Sequence, residues 1–392
     1  MKKFLALTLA LVMSLSLVAC GSKNEEPKTD DTSDTQVEEP TEGAYKIAMI
    51  TDYGDITDQS FNQTTYEACK AFAEDNSIEF NYFKPVGDNT ADRVAMIEKA
   101  VDEGYNVIVM PGYAFGGAIV ETAPKFSDVK FIALDVSAGD LGDGFEVPDN
   151  LYCAVYQEEL CGYMAGYAAV KMGYTKLGFL GGMAVPAVVR YGYGFVQGVD
   201  AAAAETGTEN VTLNYVYGGQ FFGDADITAV MDTWYQHDGV EVVFACGGGI
   251  YTSAVDAAKK VDAKVIGVDV DQAGVIANYA ETEGMTITSA MKGLYPTTYD
   301  TLSDVILNDN WSKYAGQIAT LGLVSADDPE ANYVQIPMGD GTQWCDTFTQ
   351  DDYKAMVKAM YDGELTVSND ITKSPADFAT CIAVEDQGAI KG

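Results

Sequence analysis

Histidine and cationic side chains are scarce in this sequence. His237 is the only histidine among 392 residues, which excludes a histidine-rich metal site and argues against a Ser-His-Asp triad. It lies beside a predicted turn at Asp238 and Gly239, where a solvated side chain is expected. The 23 lysines and arginines face 59 acidic residues, and the formal charge of -36 repels nucleic acid and anionic membranes. We therefore expect no nucleic-acid partner, although solubility alone can explain this acidity.

Motifs of catalysis and metal binding are also missing. The seven cysteines form no C-x-x-C pair, so the usual zinc and redox spacing is absent. No G-x-S-x-G, H-E-x-x-H or P-loop sequence occurs. We therefore predict no catalytic residues, no metal and no cofactor. Four cysteines lie in apolar runs and are predicted to be small buried side chains: Cys69, Cys153, Cys161 and Cys246.

The first residues have the order of a secretion signal. Lys2 and Lys3 precede an apolar run over 4–18 that is too short to span a membrane, and a small residue precedes Cys20. The sequence LVAC at 17–20 also resembles the bacterial lipobox, in which the cysteine becomes the first residue and carries the lipid. We expect a signal peptide over 1–19, lipid on Cys20 and anchoring at the extracytoplasmic face of the cell membrane.

A strongly acidic segment follows this signal. Residues 21–43 contain two lysines against eight acidic residues and, apart from Val37, no large apolar side chain. Such a segment buries too little surface to fold, and its charges repel one another. We expect a disordered, lipid-anchored linker over 20–44.

From Ala44 onward, short apolar runs alternate with helical patterns. The predicted strands cover 45–52, 78–85, 106–112 and 129–135, and then 176–182, 211–218, 240–249 and 264–272. Strands that alternate with helices indicate right-handed crossovers and parallel sheets. The sequence therefore predicts an α/β protein, and its two successive sets of four strands predict two similar sheets.

The two sets of strands define two lobes. We assign 45–155 to lobe 1, 156–285 to lobe 2, 286–312 to a return into lobe 1, and 313–392 to the completion of lobe 2 with a C-terminal helix and tail. The helix predicted over 158–173 has small residues on one face, which suits close packing. Residues 368–392 show no pattern beyond that of surface packing.

Acidic residues and glycines end nearly every predicted strand. The residues there include Asp52, Gly112, Tyr113, Asp135, Gly248 and Asp269. Ligands of open α/β sheets bind beyond the carboxyl ends of the strands. Turns account for the glycines but not for three aspartates that end three strands. Helix capping is an equal alternative for Asp135.

The stretch MITDYGDITDQSFNQTTYEA at 49–68 resembles the Bmp/PnrA-like family of substrate-binding lipoproteins of ABC importers. The resemblance continues through VKFIALD, NLYCAVYQEELCGYMAGYAAVKMG, KLGFLGG, VVFACGGG, VIGVDVDQ and ITSAMKG, and covers 45–367 in order. It implies a type I periplasmic-binding-protein fold, with two lobes and a hinge of several crossing segments. It also implies a purine nucleoside or nucleoside-like solute as ligand and ABC permease subunits as partners. We expect a monomer.

The start of the first helix carries one part of the implied site. Ser60 and Gln63 form an S-x-x-Q capping box that places Phe61 and Asn62 in the first turn. The resemblance makes Phe61 one wall of an aromatic sandwich around the base, and packing in the core is its alternative. Asn62 can donate and accept hydrogen bonds to a purine edge. Asp52 and Asp58 can accept hydrogen bonds from the N–H groups of the purine base.

The second lobe carries the other part. The segment YGGQFFGDAD at 217–226 resembles the family's aromatic-x-Asp segment, and this resemblance implies Phe222 as the second aromatic wall, with Phe221 one residue away. Asp269 and Lys292 match the family positions that hold ribose, although a surface position is the alternative for the lysine. Gly248 stands at a helix start, where free backbone N–H groups can bind an oxygen atom.

Departures from the family pattern leave the solute open. The family commonly has Asp-Asp-Lys-Ser and a tryptophan in the first helix, where this chain has Thr-Asp-Gln-Ser at 57–60 and Tyr66. A binding protein for another solute, such as riboflavin, is one alternative. A nucleoside-cleaving hydrolase that uses Asp52 and Asp58 as an acid-base pair is a second. A sensor subunit that signals to a membrane receptor is a third.

Overall fold

The computed structural model describes residues 45–391. The predicted signal peptide, the acidic linker and Cys20 lie outside the described residues. Within 45–391, every helix falls short of the length or the apolarity that crossing a membrane requires.

The strands form two separate sheets. They are Lys46–Ile50 (β1), Glu79–Phe83 (β2), Val107–Pro111 (β3), Lys130–Leu134 (β4), Leu151–Tyr156 (β5), Lys176–Gly181 (β6), Thr212–Tyr217 (β7), Val242–Cys246 (β8), Lys264–Asp269 (β9), Thr286–Lys292 (β10), Gln317–Leu321 (β11), Val334–Gln335 (β12) and Ala383–Ala389 (β13). The first sheet has the order β11-β5-β4-β3-β1-β2, and the second β12-β10-β9-β8-β6-β7-β13. All pairs are parallel except β10 with β12. The predicted α/β class with two parallel sheets is confirmed.

Helices follow most of the strands and cover the sheets. They are Phe61–Asn76 (α1), Thr90–Asp102 (α2), Gly116–Thr122 (α3), Ala138–Leu141 (α4), Glu158–Lys171 (α5), Pro186–Thr206 (α6), Ala225–Thr233 (α7), Tyr251–Ala258 (α8), Ala273–Ala280 (α9), Leu294–Leu302 (α10) and Gln350–Tyr361 (α11). Helix α6 begins four residues earlier than predicted, because Pro186 occupies a first-turn position that needs no N–H donor. The four cysteines predicted to be buried are buried.

The sheets contain more strands than the predicted four each. Strands β5 and β11 extend the first sheet, and β10, β12 and β13 extend the second. The residues of β11 and β13 are mostly exposed or half-buried, because both are edge strands. Their sequences therefore lack the apolar runs on which the prediction depended. The tail is also more than surface packing, since β13 pairs with β7 along its length.

Two predicted lobe boundaries were wrong. Strand β10 (Thr286–Lys292) pairs with β9 in the second sheet, so the return into lobe 1 begins only with α10. Strand β11 (Gln317–Leu321) pairs with β5 in the first sheet, so 313–392 does not belong to lobe 2 alone. Within 45–391 the chain therefore passes between the lobes three times: after β5, after β10 and after β11.

Helices α5 and α6 interlock through glycines on both sides. A Cβ atom added to Gly162 or Gly166 would overlap a carbonyl oxygen of α6, that of Tyr191 or Phe195. A Cβ atom on Gly194 or Gly198 would overlap a carbonyl oxygen of α5. The small-residue face predicted for α5 is confirmed, and α6 supplies a matching one. Close approach of two backbones at this point leaves no space for larger side chains.

We predict that Gly194→Ala lowers the free energy of unfolding by about 1–3 kcal/mol, because its methyl group would overlap the backbone of Glu159. Gly274→Ala is the matched control, since Gly274 lies in α9 with no neighbouring atom near the added methyl group. The control should gain about 0.4–1 kcal/mol from the restricted unfolded chain. Urea unfolding of the three proteins measures both changes. Equal stability of the two variants would contradict the interlock.

Candidate functional site

The amino-terminal end of α1 is capped by Asp58 and not by the predicted box of Ser60 and Gln63. The Asp58 carboxylate accepts the backbone N–H groups of Ser60 at 2.9 Å, Asn62 at 2.9 Å and Gln63 at 3.1 Å. It also accepts the side-chain amide of Asn62 at 3.1 Å. The side chain of Gln63 accepts the N–H of Gln59 at 3.0 Å. Asp58 is thus engaged by four donors within its own loop, which leaves it little capacity to receive a solute.

The hydroxyl group of Ser60 is therefore free to reach the other lobe. It donates a hydrogen bond of 2.6 Å to Asp269 Oδ2, at the carboxyl end of β9. Beside it, the side-chain amide of Gln272 donates to the carbonyl oxygen of Gln59 at 3.2 Å. These contacts join the end of the first sheet to the end of the second. The structure is therefore that of a closed cleft.

A cavity of about 380 Å³ lies in this cleft. All twelve residues predicted to bind a ligand line it: Asp52, Asp58, Phe61, Asn62, Gly112, Tyr113, Asp135, Phe221, Phe222, Gly248, Asp269 and Lys292. They come from the carboxyl ends of strands in both sheets and from the helices that follow. A cavity of this volume has the size of a small-molecule site.

A buried lysine holds three carboxylates at the base of the cavity. Lys292 Nζ lies 2.5 Å from Asp135, 3.4 Å from Glu158 and 3.8 Å from Asp269. Its side chain is only 3% exposed, so the surface alternative for Lys292 was wrong. Arg190 Nε donates to the other oxygen of Glu158 at 2.6 Å. The lysine thus meets acidic groups from both lobes.

Burial and charge act in opposite directions on these groups. Burial raises the pKa of Asp269 and that of Glu158, although Lys292 and, at Glu158, also Arg190 oppose the shift. Burial alone would lower the pKa of Lys292, but the three carboxylates outweigh it and raise that pKa. The lysine is therefore held in its charged form, and its loss would leave carboxylates buried without their cation.

Asp135 does not cap a helix. The following helix α4 is capped by Ser137, whose hydroxyl and backbone N–H both contact Asp140. Asp135 instead uses Oδ2 to bind Lys292, and its Oδ1 is buried without a hydrogen-bond partner. Its φ of 59° and that of Asp269, 65°, are left-handed. Such strained backbone is tolerated where the surrounding contacts fix it, and it frequently marks functional sites.

One carboxylate oxygen of Asp52 accepts hydrogen bonds from the turn that follows it. Its Oδ1 accepts the N–H groups of Tyr53 at 2.6 Å and Gly54 at 2.7 Å. Burial raises the pKa of Asp52 despite these donors. A Cβ atom on Gly112, which has a φ of 125°, would touch the Asp52 carboxylate, so only glycine fits at this point.

The aromatic side chains lie on both sides of the cavity. The ring of Phe61 is half-buried, and Lys292 Nζ stands 4.8 Å from its centre. Phe221 lies 6.3 Å from Tyr53 of the other lobe, with 33° between the rings. Phe222 is 60% exposed at the rim. The sequence favoured Phe222 as the second wall, whereas the structure brings Phe221 into contact with the first lobe.

Tyr53, Arg190 and Tyr191 are among the cavity residues that the sequence did not predict. Tyr53 directly follows a predicted ligand residue, and its hydroxyl contacts the sulfur of Met183 at 3.5 Å. The hydroxyl of Tyr191 donates to Asp269 Oδ1 at 3.2 Å. The rule that located the aspartates, the carboxyl end of a parallel strand, also applies to α6 after β6.

We predict that Lys292→Met lowers the free energy of unfolding by about 3–5 kcal/mol, because it leaves buried carboxylates without their cation. Lys84→Met is the matched control, since Lys84 also lines the cavity but pairs with Asp55 in an exposed position. Its cost should stay under about 1 kcal/mol. Adding Asp135→Asn to Lys292→Met should restore part of the loss. Urea unfolding measures all three, and equal effects of both lysines would contradict the role of Lys292.

Solved structures share this fold. An ABC transporter solute-binding protein from Aeropyrum pernix K1 is 20% identical, with a TM-score of 0.64 over 85% of this chain and 90% of that chain. A second, from Conexibacter woesei DSM 14684, is 21% identical, with a TM-score of 0.61 over 83% of this chain and 99% of that chain. At this identity the likeness concerns the fold alone, and the periplasmic-binding-protein fold expected from the sequence is confirmed.

Curated relatives are similar over most of the chain. The "ABC transporter nucleoside-binding protein BmpA" of Lactococcus lactis is 26% identical, over 69% of this chain and 75% of its own length. The "CD4+ T-cell-stimulating antigen" of Listeria innocua is 28% identical, over 74% of this chain and 80% of its own length. An uncharacterized lipoprotein of Pyrococcus abyssi is 25% identical, over 81% of this chain and 74% of its own length.

The family described as "ABC transporter substrate-binding protein PnrA-like" matches residues 45–326. That range contains both sheets except β12 and β13, and it contains every residue that lines the cavity. The expectation drawn from the sequence is confirmed: this chain belongs to the Bmp family of ABC transporter substrate-binding proteins.

Proposed function

We propose that this protein captures a purine nucleoside, or a nucleoside-like solute, in the cleft and delivers it to the permease of an ABC importer. One observation carries the proposal. The cavity combines aromatic rings from both lobes with buried acceptor oxygens that have no hydrogen-bond partner. A nucleoside offers the complement of both, a flat base and several N–H and O–H donors. The name of the Lactococcus lactis relative agrees with this solute class.

The first lobe and Phe221 would hold the base. Phe61, Tyr53 and Phe221 offer ring faces or edges, and stacking contributes about 1–3 kcal/mol per base. The side-chain amide of Asn62 donates to Asp58, so its Oδ1 is the group that remains, buried and without a partner. An amino or ring N–H group of a purine would satisfy this oxygen.

The base of the cavity would hold the sugar. Asp135 Oδ1 is a buried acceptor without a partner, and Lys292 places it beside Asp269. Two carboxylates side by side can accept both hydroxyl groups of a cis-diol. The Lys292 ammonium offsets their charge and can donate to a ribose oxygen. Charged partners make such hydrogen bonds stronger than neutral ones.

The charges of the cavity also select against phosphate. Six acidic residues line it, Asp52, Asp55, Asp58, Asp135, Asp140 and Asp269, against three cations, Lys84, Arg190 and Lys292. Lys84 pairs with Asp55, and Lys292 with Asp135, so neither cation is free for an anion. A nucleotide would add negative charge to a surplus of carboxylates. The proposed solute is therefore unphosphorylated.

Delivery places the protein at the membrane. We propose that lipid on Cys20 anchors it to the extracytoplasmic face and that the acidic linker over 20–44 lets one monomer reach the permease. Two relatives, from Pyrococcus abyssi and Pyrococcus horikoshii, are named lipoproteins, which supports this location. Closure of the two lobes about their three crossing segments would present the loaded form to the transporter.

A panel of solutes tests the proposed ligand class. Adenosine, inosine and guanosine should each release heat in calorimetry and raise the melting temperature. At a ligand concentration 100 times the Kd, the free energy of unfolding should rise by about 2.7 kcal/mol. Adenine and ribose alone should bind more weakly, and adenosine monophosphate should not bind.

Other results would favour the alternatives. If riboflavin is the only solute that releases heat, the protein binds another solute. Free base after incubation with inosine would favour the hydrolase, and a panel without any response would refute the proposal.

We predict that Phe61→Ala weakens nucleoside binding by about 5- to 150-fold, because it removes one stacked ring. Phe126→Ala is the matched control, since Phe126 is also half-buried but packs in the first lobe away from the cavity. The control should bind as tightly as the unaltered protein. Calorimetry gives both affinities, and thermal melting shows whether each variant is folded. Unaltered affinity in Phe61→Ala would support packing in the core instead.

A further inference from the structure

The C-terminal strand β13 lies outside the family match, which ends at residue 326. It runs parallel to β7 from the pair Ala383 and Thr212 to the pair Ala389 and Tyr217. One step further, the N–H of Ile390 donates to the carbonyl oxygen of Tyr217 at 2.8 Å. The strand thus ends beside the loop over 218–224, which connects β7 to α7 and carries two aromatic residues into the cavity.

The strand is held at two points before it reaches this loop. Asp200 of α6 accepts the N–H groups of Thr380 and Cys381, each at 2.8 Å. Farther along, Gln387 Oε1 accepts the indole N–H of the fully buried Trp234 at 3.0 Å. These contacts fix the position of the tail although most of its side chains are exposed. Its final residues therefore meet the loop at a defined place.

Lys391 ties the tail to both ends of the loop. Its ammonium group forms a short ion pair with Asp224 and lies 3.3 Å from Gln220 Oε1. Its carbonyl oxygen lies against Gly219, where a Cβ atom would come within 2.6 Å of it. Gly219 also has a φ of 80°, so the loop leaves β7 in a conformation that suits glycine.

Asp224 connects this contact to the helix behind the loop. Its Oδ1 accepts the N–H groups of Asp226 and Ile227 at 3.0 Å, which caps α7. Its Oδ2 accepts Gln220 Nε2 at 2.8 Å in addition to Lys391. Hydrogen bonding by Lys391 lowers the pKa of Asp224 to about 2. The carboxylate therefore joins tail, loop and helix in its charged form.

On the side facing the cavity, the loop forms a backbone hydrogen bond to the turn at 247–249. The N–H of Gly249 donates to the carbonyl oxygen of Phe221 at 3.0 Å. The ring of Phe221 covers Gly182 and Gly247, where a Cβ atom would overlap it or press against it. The ring of Phe221 thus packs against the glycine backbone at the cavity, while Lys391 holds the outer side of the loop that carries this residue.

We propose that the C-terminal segment 380–391 positions the loop over 218–224, with Lys391 as the positioning residue, and so slows the escape of a bound solute past Phe221 and Phe222. The loop positioning stands on the geometry alone. The slowed escape rests on the proposed nucleoside function. Loss of the Lys391 charge should loosen the loop without unfolding the second sheet, because the apolar core does not involve this side chain.

Hydrogen exchange tests the positioning without any ligand. In Lys391→Met, the amides over 218–224 should exchange about two- to fivefold faster, the size of effect that one partly exposed ion pair produces. Lys391→Arg should restore slow exchange, because it keeps the charge. Lys354→Met is the matched control, since Lys354 is an exposed lysine on α11. Unchanged exchange in Lys391→Met, or equal acceleration in the control, would overturn the proposal.

Dissociation of adenosine, followed by stopped flow, tests the effect on the solute. It should be about two- to fivefold faster in Lys391→Met and unaltered in Lys354→Met, since affinity changes within one site act mostly on dissociation. Faster loop exchange with unaltered dissociation would overturn the solute-retention part. If the unaltered protein binds no nucleoside at all, the proposed function and the retention part fail together, and loop exchange still decides the positioning.

Discussion

The ammonium group of Lys292 connects the parts of this structure that the chain itself keeps apart. It contacts Asp135 at the end of the first sheet, Asp269 at the end of the second, and Glu158 directly after the first crossing between lobes. Lys292 itself ends β10, just before the second crossing. Taking these charges out of water costs several kcal/mol each, so the cluster persists only if every member is paired. The relative placement of the two sheets is therefore constrained by electrostatics as well as by packing.

That cluster also sets what the cleft can do when it closes. Ser60 and Tyr191 both donate to Asp269, one from each lobe, so closure completes the hydrogen bonds of a buried carboxylate. A solute that supplies donors to Asp135 Oδ1 and Asn62 Oδ1 would add to the same set. Both oxygens belong to the first lobe, so the solute would favour the closed arrangement by also contacting Phe221 or Asp269 of the second lobe, because it reaches both lobes together only when they are closed.

Much of this site could be predicted from the sequence because one geometric rule governs parallel sheets. The ends of β1, β4 and β9 were visible as apolar runs that stop at aspartate, and Asp52, Asp135 and Asp269 line the cavity. The sequence could not show how hydrogen bonds are shared. Asp58 and Ser60 both fit the pattern of a helix cap, and only the folded loop shows that Asp58 caps α1 while Ser60 crosses to the other lobe. Edge strands β11 and β13 escaped prediction because their segments, QIATL and AVEDQGA, contain fewer large apolar residues than the edge strand β2, EFNYF, which was predicted.

Cationic residues are scarce in the whole chain, so the few buried ones are important for neutralising the buried carboxylates. In a protein with many lysines, a cavity lysine could be replaced by a neighbour, but here Lys292 and Arg190 are the cations nearest to Glu158. Both form ion pairs with carboxylates, so the cleft presents acceptor oxygens and ring faces to its solute. Such a surface favours a neutral molecule rich in N–H and O–H donors. The acidity that first suggested only solubility thus continues into the cavity, where, under the proposed function, it would favour neutral solutes over anions.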